Sequence, residues 1–315
     1  MTAPTPDRGN ESAIPVARRI FPFLGWPRVT SVSLRGDLIA GLTVSLVAIP
    51  QSLAYAQLAG VPPLYGLYAA FIPSIVGVLF GSSAILSTGP VAMTSLLVAA
   101  SVGALVPPGT DQFYAYVTML ALLSGLFQLG FGLARAGMLL SLVSHPVLMG
   151  FINAAALIIA ISQLPTLIGM SAPQSQHLLV DTWDVVSRPD LVHLMSLAFG
   201  LVAMVLLFAF NRFAPRHPGM LVTVALATWA SSLLGFAEHG GRVVGAVSAG
   251  LPVLVVPHLD WAAIRSLLPA AFVVALISFL EAASSCKVIA IGTRRHWDEN
   301  QELIGQGLAK IAAAF

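Results

Sequence analysis

Ser82-Ser83-Ala84-Ile85-Leu86-Ser87-Thr88-Gly89-Pro90-Val91-Ala92 is the stretch on which the fold turns. Residues 82–88 read as extended chain rather than helix. Pro90 then fits the first position of a helix, where its missing N–H costs nothing, and Thr88 or Gly89 can cap it. The reading predicts a helix starting at Pro90. Apolar segments flank the stretch, at 64–81 and 90–106. If the first of these ends near Gly81 on the inner side, residues 82–88 travel partway back across a membrane as extended chain. Such backbone is tolerated at depth only where protein or a water-filled cavity surrounds it. A helix that begins at the midplane presents free N–H groups and a partial positive charge, which suits an anion. Discontinuous helices in secondary transporters hold substrates in this way. A plain proline kink followed by a short tilted helix is the other reading, and pattern alone leaves both open.

Composition explains why a membrane enters the argument. The 315 residues are 57% hydrophobic and 9% charged, with a mean hydropathy of +0.89. A soluble domain carries about 25% charged residues. No Asp, Glu, Lys or Arg occurs from Leu38 to Thr110, and from Leu38 to Val180 the charges are Asp111 and Arg135. This excludes a disordered chain, a nucleic-acid binder and an ordinary soluble enzyme, and argues for several membrane-spanning helices. Cys286 is the sole cysteine, so neither an internal disulfide framework nor a Cys-rich metal site is possible. The start of the chain shows no cleavage-site pattern after a short apolar core, so the first apolar stretch is read as a retained helix.

Nine segments read as spans: 38–60, 64–81, 90–106, 113–134, 146–170, 191–210, 219–236, 268–291 and 299–315. Most approach the ~20 residues needed to cross a bilayer. The last is weaker, since it holds Glu299, Glu302 and Lys310. Arg8, Arg18, Arg19, Arg28 and Arg35 precede the first span. With a cytoplasmic N-terminus, Arg135, Arg212, Arg216, Arg294 and Arg295 also fall inside, while Arg188, Arg242 and Arg265 fall outside. The positive-inside rule favours this orientation. The outer loop 171–190 carries Asp181, Asp184 and Asp190. Pro50 lies deep in the first span and is expected to kink or break it.

Glu281 sits inside the apolar run 271–285. A carboxylate at the centre of a spanning helix costs ~2.5–3.5 kcal/mol on insertion scales, so it normally faces the protein interior, a cavity or a partner. Ser285, four residues on, shares its helix face. Together they could line a proton or sodium site; a structural pairing with Lys287 or a distant helix is the alternative. Sliding 44–56 against 274–286 sets Gln51 opposite Glu281 and Tyr55 opposite Ser285, the weak internal symmetry that inverted repeats leave. The histidines show no metal-ligand spacing and read as structural or solvated.

Four motifs carry a family resemblance. They are 50–56 (PQSLAYA) with 60–68 (GVPPLYGLY), 87–92 (STGPVA), 279–282 (FLEA) and 300–309 (NQELIGQGLA). In this order they resemble the SulP anion transporters, the sulfate-permease family, and the likeness covers nearly all of 15–315. The resemblance implies an all-α polytopic membrane protein. Its fold would be a seven-plus-seven inverted repeat with short extended pieces before half-helices. Segments 1–4 and 8–11 would form a core and segments 5–7 and 12–14 a gate, often followed by a STAS domain. On this chain the division is a cytoplasmic segment 1–37, core segments 38–134, gate segments 135–240, and an outer loop with segments 8–9 over 241–315. The chain ends within segment 9, so the likeness makes it a truncated piece, without segments 10–14 or a STAS domain.

The resemblance further implies secondary active transport of a small anion such as sulfate, bicarbonate or a dicarboxylate. The core would move as an elevator, in a homodimer, within a bacterial inner membrane. The anion site would include Gln51 and Tyr55 and the amides around Gly89, Pro90, Val91 and Ala92. Glu281, with Ser285, would carry the coupling ion, and a Glu there leans toward protons, hence symport. No cofactor or metal and no nucleic acid is expected; the partners are the anion and membrane lipid. Two other classes remain beside transport. A membrane enzyme is disfavoured, since no His-Glu-x-x-His or Gly-x-Ser-x-Gly occurs. A non-transporting assembly fragment, or a nucleobase transporter of the same architecture, is the remaining alternative.

Overall fold

The computed structural model describes residues 21–25, 29–83, 86–137, 145–170, 183, 187, 192–214, 218–244, 250, 260–293 and 297–315. A 3-10 turn at Pro22–Gly25 precedes nine α-helices among these residues. They are α1 (Ser31–Leu58), α2 (Pro63–Phe80), α3 (Ala92–Gly103), α4 (Asp111–Leu133), α5 (His145–Leu167), α6 (Leu194–Phe213), α7 (Gly219–Leu233), α8 (Trp261–Thr293) and α9 (Glu299–Ala313). No strand occurs among the described residues. Ala84 and Ile85, the acidic loop 171–190 apart from residues 183 and 187, and Arg8, Arg18, Arg19, Arg28, Arg188, Arg216, Arg294 and Arg295 lie outside them.

Each predicted span has a helix in its place, with three corrections. The first concerns Pro50, which neither ends nor splits its helix: α1 continues through it. A lone missing N–H removes one rung from a ladder that is intact on both sides, and α2, α5 and α8 likewise contain Pro73, Pro165 and Pro269. The second is that α1 begins well before residue 38. Thr30 and Ser33 form a reciprocal capping box: the Ser33 N–H donates to Thr30 Oγ1 at 3.2 Å and the Thr30 N–H donates to Ser33 Oγ at 3.0 Å. The cap sets the start, and Arg35 and Asp37 lie within the first turns. The third is that α3 begins at Ala92 rather than Pro90. Val91 is the N-cap, extended at φ −133° and ψ 148°, so Pro90 lies outside the helix, and neither Thr88 nor Gly89 caps it.

The third correction has a tertiary cause. Thr88 packs against α2 where Gly77 leaves room: a Cβ on Gly77 would lie 2.7 Å from Thr88 Oγ1. Ser74 Oγ, also on α2, donates to the Thr88 carbonyl. The extended chain is therefore fastened to α2 at Thr88 and turns into helix only after that point.

Among the described residues, five stretches are long and apolar enough to cross a membrane: α1, α2, α4, α6 and Trp261–Lys287 of α8. α3, α7 and Ala156–Leu167 within α5 are shorter apolar helices. α9 belongs to neither group, yet it is the most enclosed. Gln301, Glu302, Leu303, Gly305, Gln306, Gly307 and Ala309 are buried in it. It packs chiefly on α4 and α2, α8 packs on α4, α1 on α2, and α6 pairs with α7. Val102, Val106, Phe113, Met119, Leu120, Leu267 and Ala271 form the main apolar cluster, joining α3, α4 and α8. Phe279, Ala283 and Leu303 form a second, between α8 and α9.

Candidate functional site

The anion-site candidates come from α1 and from the entry to α3, which are in contact. On α1, Gln51 Nε2 donates to the Tyr55 hydroxyl at 2.6 Å. The two predicted residues are thus brought together one turn apart, and each fixes the other's orientation. α2 crosses the same part of α1 closely, because Gly66 carries no side chain: a Cβ there would meet the Ser52 carbonyl and Ala56.

At α3 the structure shifts the predicted amides. Pro90 has no N–H to offer, and Val91 is the cap, without a side chain satisfying the first turn. The Ser95 N–H already donates to the Val91 carbonyl at 3.0 Å. The amides left without a helical acceptor are therefore those of Ala92, Met93 and Thr94, together with Val91 itself. Gly89 is exposed and lies in the extended chain before them. Of the predicted set, Val91 and Ala92 remain as backbone donors, while Met93 and Thr94 were missed. The N-cap could not be found from sequence, since Thr88 is the better capping residue by type.

The coupling candidates separate. Glu281 Oε2 is buried and has no hydrogen-bond partner among the described residues. Ser285 is exposed, and its hydroxyl donates to the Glu281 backbone carbonyl at 3.3 Å. Ser285 is therefore occupied with its own helix and does not join the carboxylate. The charge that acts on Glu281 is that of Lys310 on α9, without a hydrogen bond between the two among the described residues. Lys310 Nζ donates to Ser278 Oγ, one turn before Glu281 on α8. Gln128 of α4, fully buried, donates from Nε2 to the same Ser278 hydroxyl and to the Ala275 carbonyl, both at 2.9 Å.

A second polar set was not visible from sequence. Asn300, Gln301 and Glu302 open α9, and each fastens a different element. Asn300 Oδ1 accepts from the Gly137 N–H at 2.9 Å, just past α4. Gln301 Nε2 donates to the Phe80 carbonyl at 2.6 Å, at the end of α2. Glu302, 2% exposed, accepts from the N–H groups of Ser82 and Ser83 at 3.0 Å each, and Gln306 Nε2 donates to its other oxygen at 3.3 Å. Glu302 thus holds the start of the extended chain that leads to α3. Ser82 Oγ adds a bond to the Asp298 carbonyl at 2.7 Å. The available signal was three consecutive polar residues ahead of Gly305 and Gly307, a polar, small-residue helix start inside an apolar chain.

His193, expected to be structural, caps α6: its Nδ1 accepts from the Ser196 N–H at 3.2 Å.

Comparison with known proteins adds three observations. The chain is 32% identical over 305 residues to the chloroplastic sulfate transporter 4.1 of Arabidopsis thaliana, covering 94% of this chain and 44% of that protein. It is 34% identical over 282 residues to a probable sulfate transporter of Mycobacterium tuberculosis, covering 90% of this chain and 50% of that protein. Its fold matches the transmembrane domain of a cyanobacterium bicarbonate transporter with a TM-score of 0.77 at 27% identity, over 91% of this chain and 74% of that one. The chain spans about half the length of these curated relatives. It has the all-α transporter fold of a multi-pass membrane protein, and the enzyme alternative falls away. Residues 34–315 match the sulfate permease family, and the chain belongs to it.

Proposed function

We propose that this chain is the N-terminal part of the membrane domain of a secondary active transporter for a small anion, namely sulfate, bicarbonate or a dicarboxylate. The observation that carries the reading is the entry to α3: extended chain held to α2 at Thr88, then a helix whose first amides have no acceptor among the described residues. A half-helix end of this kind stabilises an anion through directed N–H groups and the helix dipole. Gln51 and Tyr55, oriented by their mutual bond, would add side-chain contacts from α1, a helix in contact with α3. The names of the relatives, two sulfate transporters and a bicarbonate transporter, favour the same substrate class.

In this reading the protein is a homodimer in a bacterial inner membrane with its N-terminus in the cytoplasm. Helices α1–α4 with α8–α9 form the moving core and α5–α7 belong to the gate, with transport by an elevator movement. Glu281 couples uptake to protons as symport, because its buried oxygen lacks a hydrogen-bond donor among the described residues and a proton would supply one.

The test is uptake of labelled sulfate, bicarbonate or succinate by liposomes containing the complete protein, with and without an inward proton gradient. Faster uptake with the gradient is expected, and Glu281→Gln is expected to abolish the acceleration while leaving gradient-free exchange. Gradient-dependent uptake by Glu281→Gln would remove the coupling role. No uptake of any of these anions would remove the transport reading.

A further inference from the structure

Two buried oxygens near the middle of α8 have no donor among the described residues, Glu281 Oε2 and Gln128 Oε1. The Gln128 amide cannot turn round to relieve this. Its nitrogen faces the Ala275 carbonyl, which can only accept. Between the elements that carry these oxygens, α9 inserts Lys310. Its ammonium donates to Ser278 Oγ, the hydroxyl that also receives Gln128 Nε2. Ser278 donates its own proton to the Val274 carbonyl at 2.7 Å. A hydroxyl has one donor and two acceptor positions, so Ser278 is full. An ammonium has three donors, and Ser278 uses one. The Gln128 amide and the Ser278 hydroxyl lie together, and Glu281 follows one turn along α8; carboxylate, amide and hydroxyl oxygens are the ligand types that hard cations take.

We propose that the Lys310 ammonium is a resident cation of the Glu281 site, standing where a coupling sodium ion would otherwise bind, so that this transporter neither binds nor uses sodium there. The charge balance supports this. A buried carboxylate needs a compensating positive charge or a proton, and Lys310 is the cation whose charge reaches Glu281. Sodium would need Ser278 Oγ, which becomes available only when Lys310 withdraws. The buried carboxylate at the start of α9, Glu302, is engaged with the N–H groups of Ser82 and Ser83. The inference rests on the transport reading only in its flux arm.

The experiment uses the complete purified protein in two arms. In the first, thermal unfolding is measured in sodium chloride and in choline chloride at equal ionic strength. The Tm of the wild type is expected to be the same in both, and that of Lys310→Met to rise by several degrees in sodium. Lys310→Arg, which keeps the charge, is expected to stay indifferent. In the second, sulfate uptake into liposomes is compared in the two salts. Wild-type uptake is expected to be unaffected, and uptake by Lys310→Met and Lys310→Gln to become sodium-stimulated. A sodium response of the wild type in either arm overturns the proposal, as does a folded Lys310→Met that responds in neither. If Lys310→Met does not fold, adding Glu281→Gln should restore folded protein by removing the unpaired charge, and failure to restore it overturns the proposal. Absence of any wild-type uptake defeats the transport reading, while the Tm arm still reads Lys310.

Discussion

α6 and α9 are opposites in sequence and opposites in place. α6 is apolar along its length and none of its residues is buried; Phe208 is 72% and Val205 67% exposed. α9 carries Glu299, Glu302, Lys310 and a run of amides, and it is enclosed between α2 and α4. In water the apolar helix would be central and the polar one peripheral. In a bilayer the order inverts, because the outer surface must be apolar and polar side chains find donors and acceptors only within the protein. The comparison teaches that hydropathy here reports contact with lipid, not importance to the fold.

The strongest way to break the contrast is to enlarge the glycines that admit α9. A Cβ on Gly307 would lie 2.7 Å from the Leu129 backbone nitrogen and 2.9 Å from the Gly125 carbonyl oxygen. Gly307→Leu therefore forces backbone from backbone, beyond the about 1–3 kcal/mol typical of overpacking. Loss of folded, monodisperse protein by size-exclusion chromatography is expected; a normal elution profile would mean that α9 is not held as described.

An intermediate effect is expected at Glu302. Glu302→Ala leaves the Ser82 and Ser83 N–H groups without their acceptor, at about 1–3 kcal/mol for each buried group. A clear fall in Tm should result, together with a raised KM for the anion, since the chain leading to α3 is released. Glu302→Gln keeps an acceptor oxygen and is expected to recover most of both. Equal loss in the two variants would assign the role to charge rather than to hydrogen bonding.

The smallest effect sharpens the contrast from the other side. Phe208→Leu on α6 exchanges one exposed apolar side chain for another and should change stability by no more than about 0.5 kcal/mol. A large change in its thermal unfolding would show that α6 has a partner surface.

The sequence made much of this legible. The nine helices stand where apolar runs and turn residues put them, because each run must satisfy its own backbone bonds in lipid. The extended piece before α3 and the anomaly of Glu281 were readable for the same reason. Boundaries were less so. Helix α1 starts at a capping box hidden in a polar stretch, and α3 starts late because Ser74 and Gly77 hold Thr88 from another helix.

What the sequence by itself determined was a polytopic helical chain with the motifs of the sulfate permease family and a carboxylate inside an apolar run, with extended chain before the third helix as one of two open readings. The tertiary structure decided who meets whom. Glu302 reaches Ser82 across 220 residues and Gln128 reaches Ser278 across 150. Lys310, a residue that weakened the ninth span as a reading, reaches the Ser278 hydroxyl one turn before Glu281. Local pattern reports how each residue prefers lipid or water. It does not report which distant polar groups will satisfy one another once water is excluded, and that matching placed the polar helix at the centre.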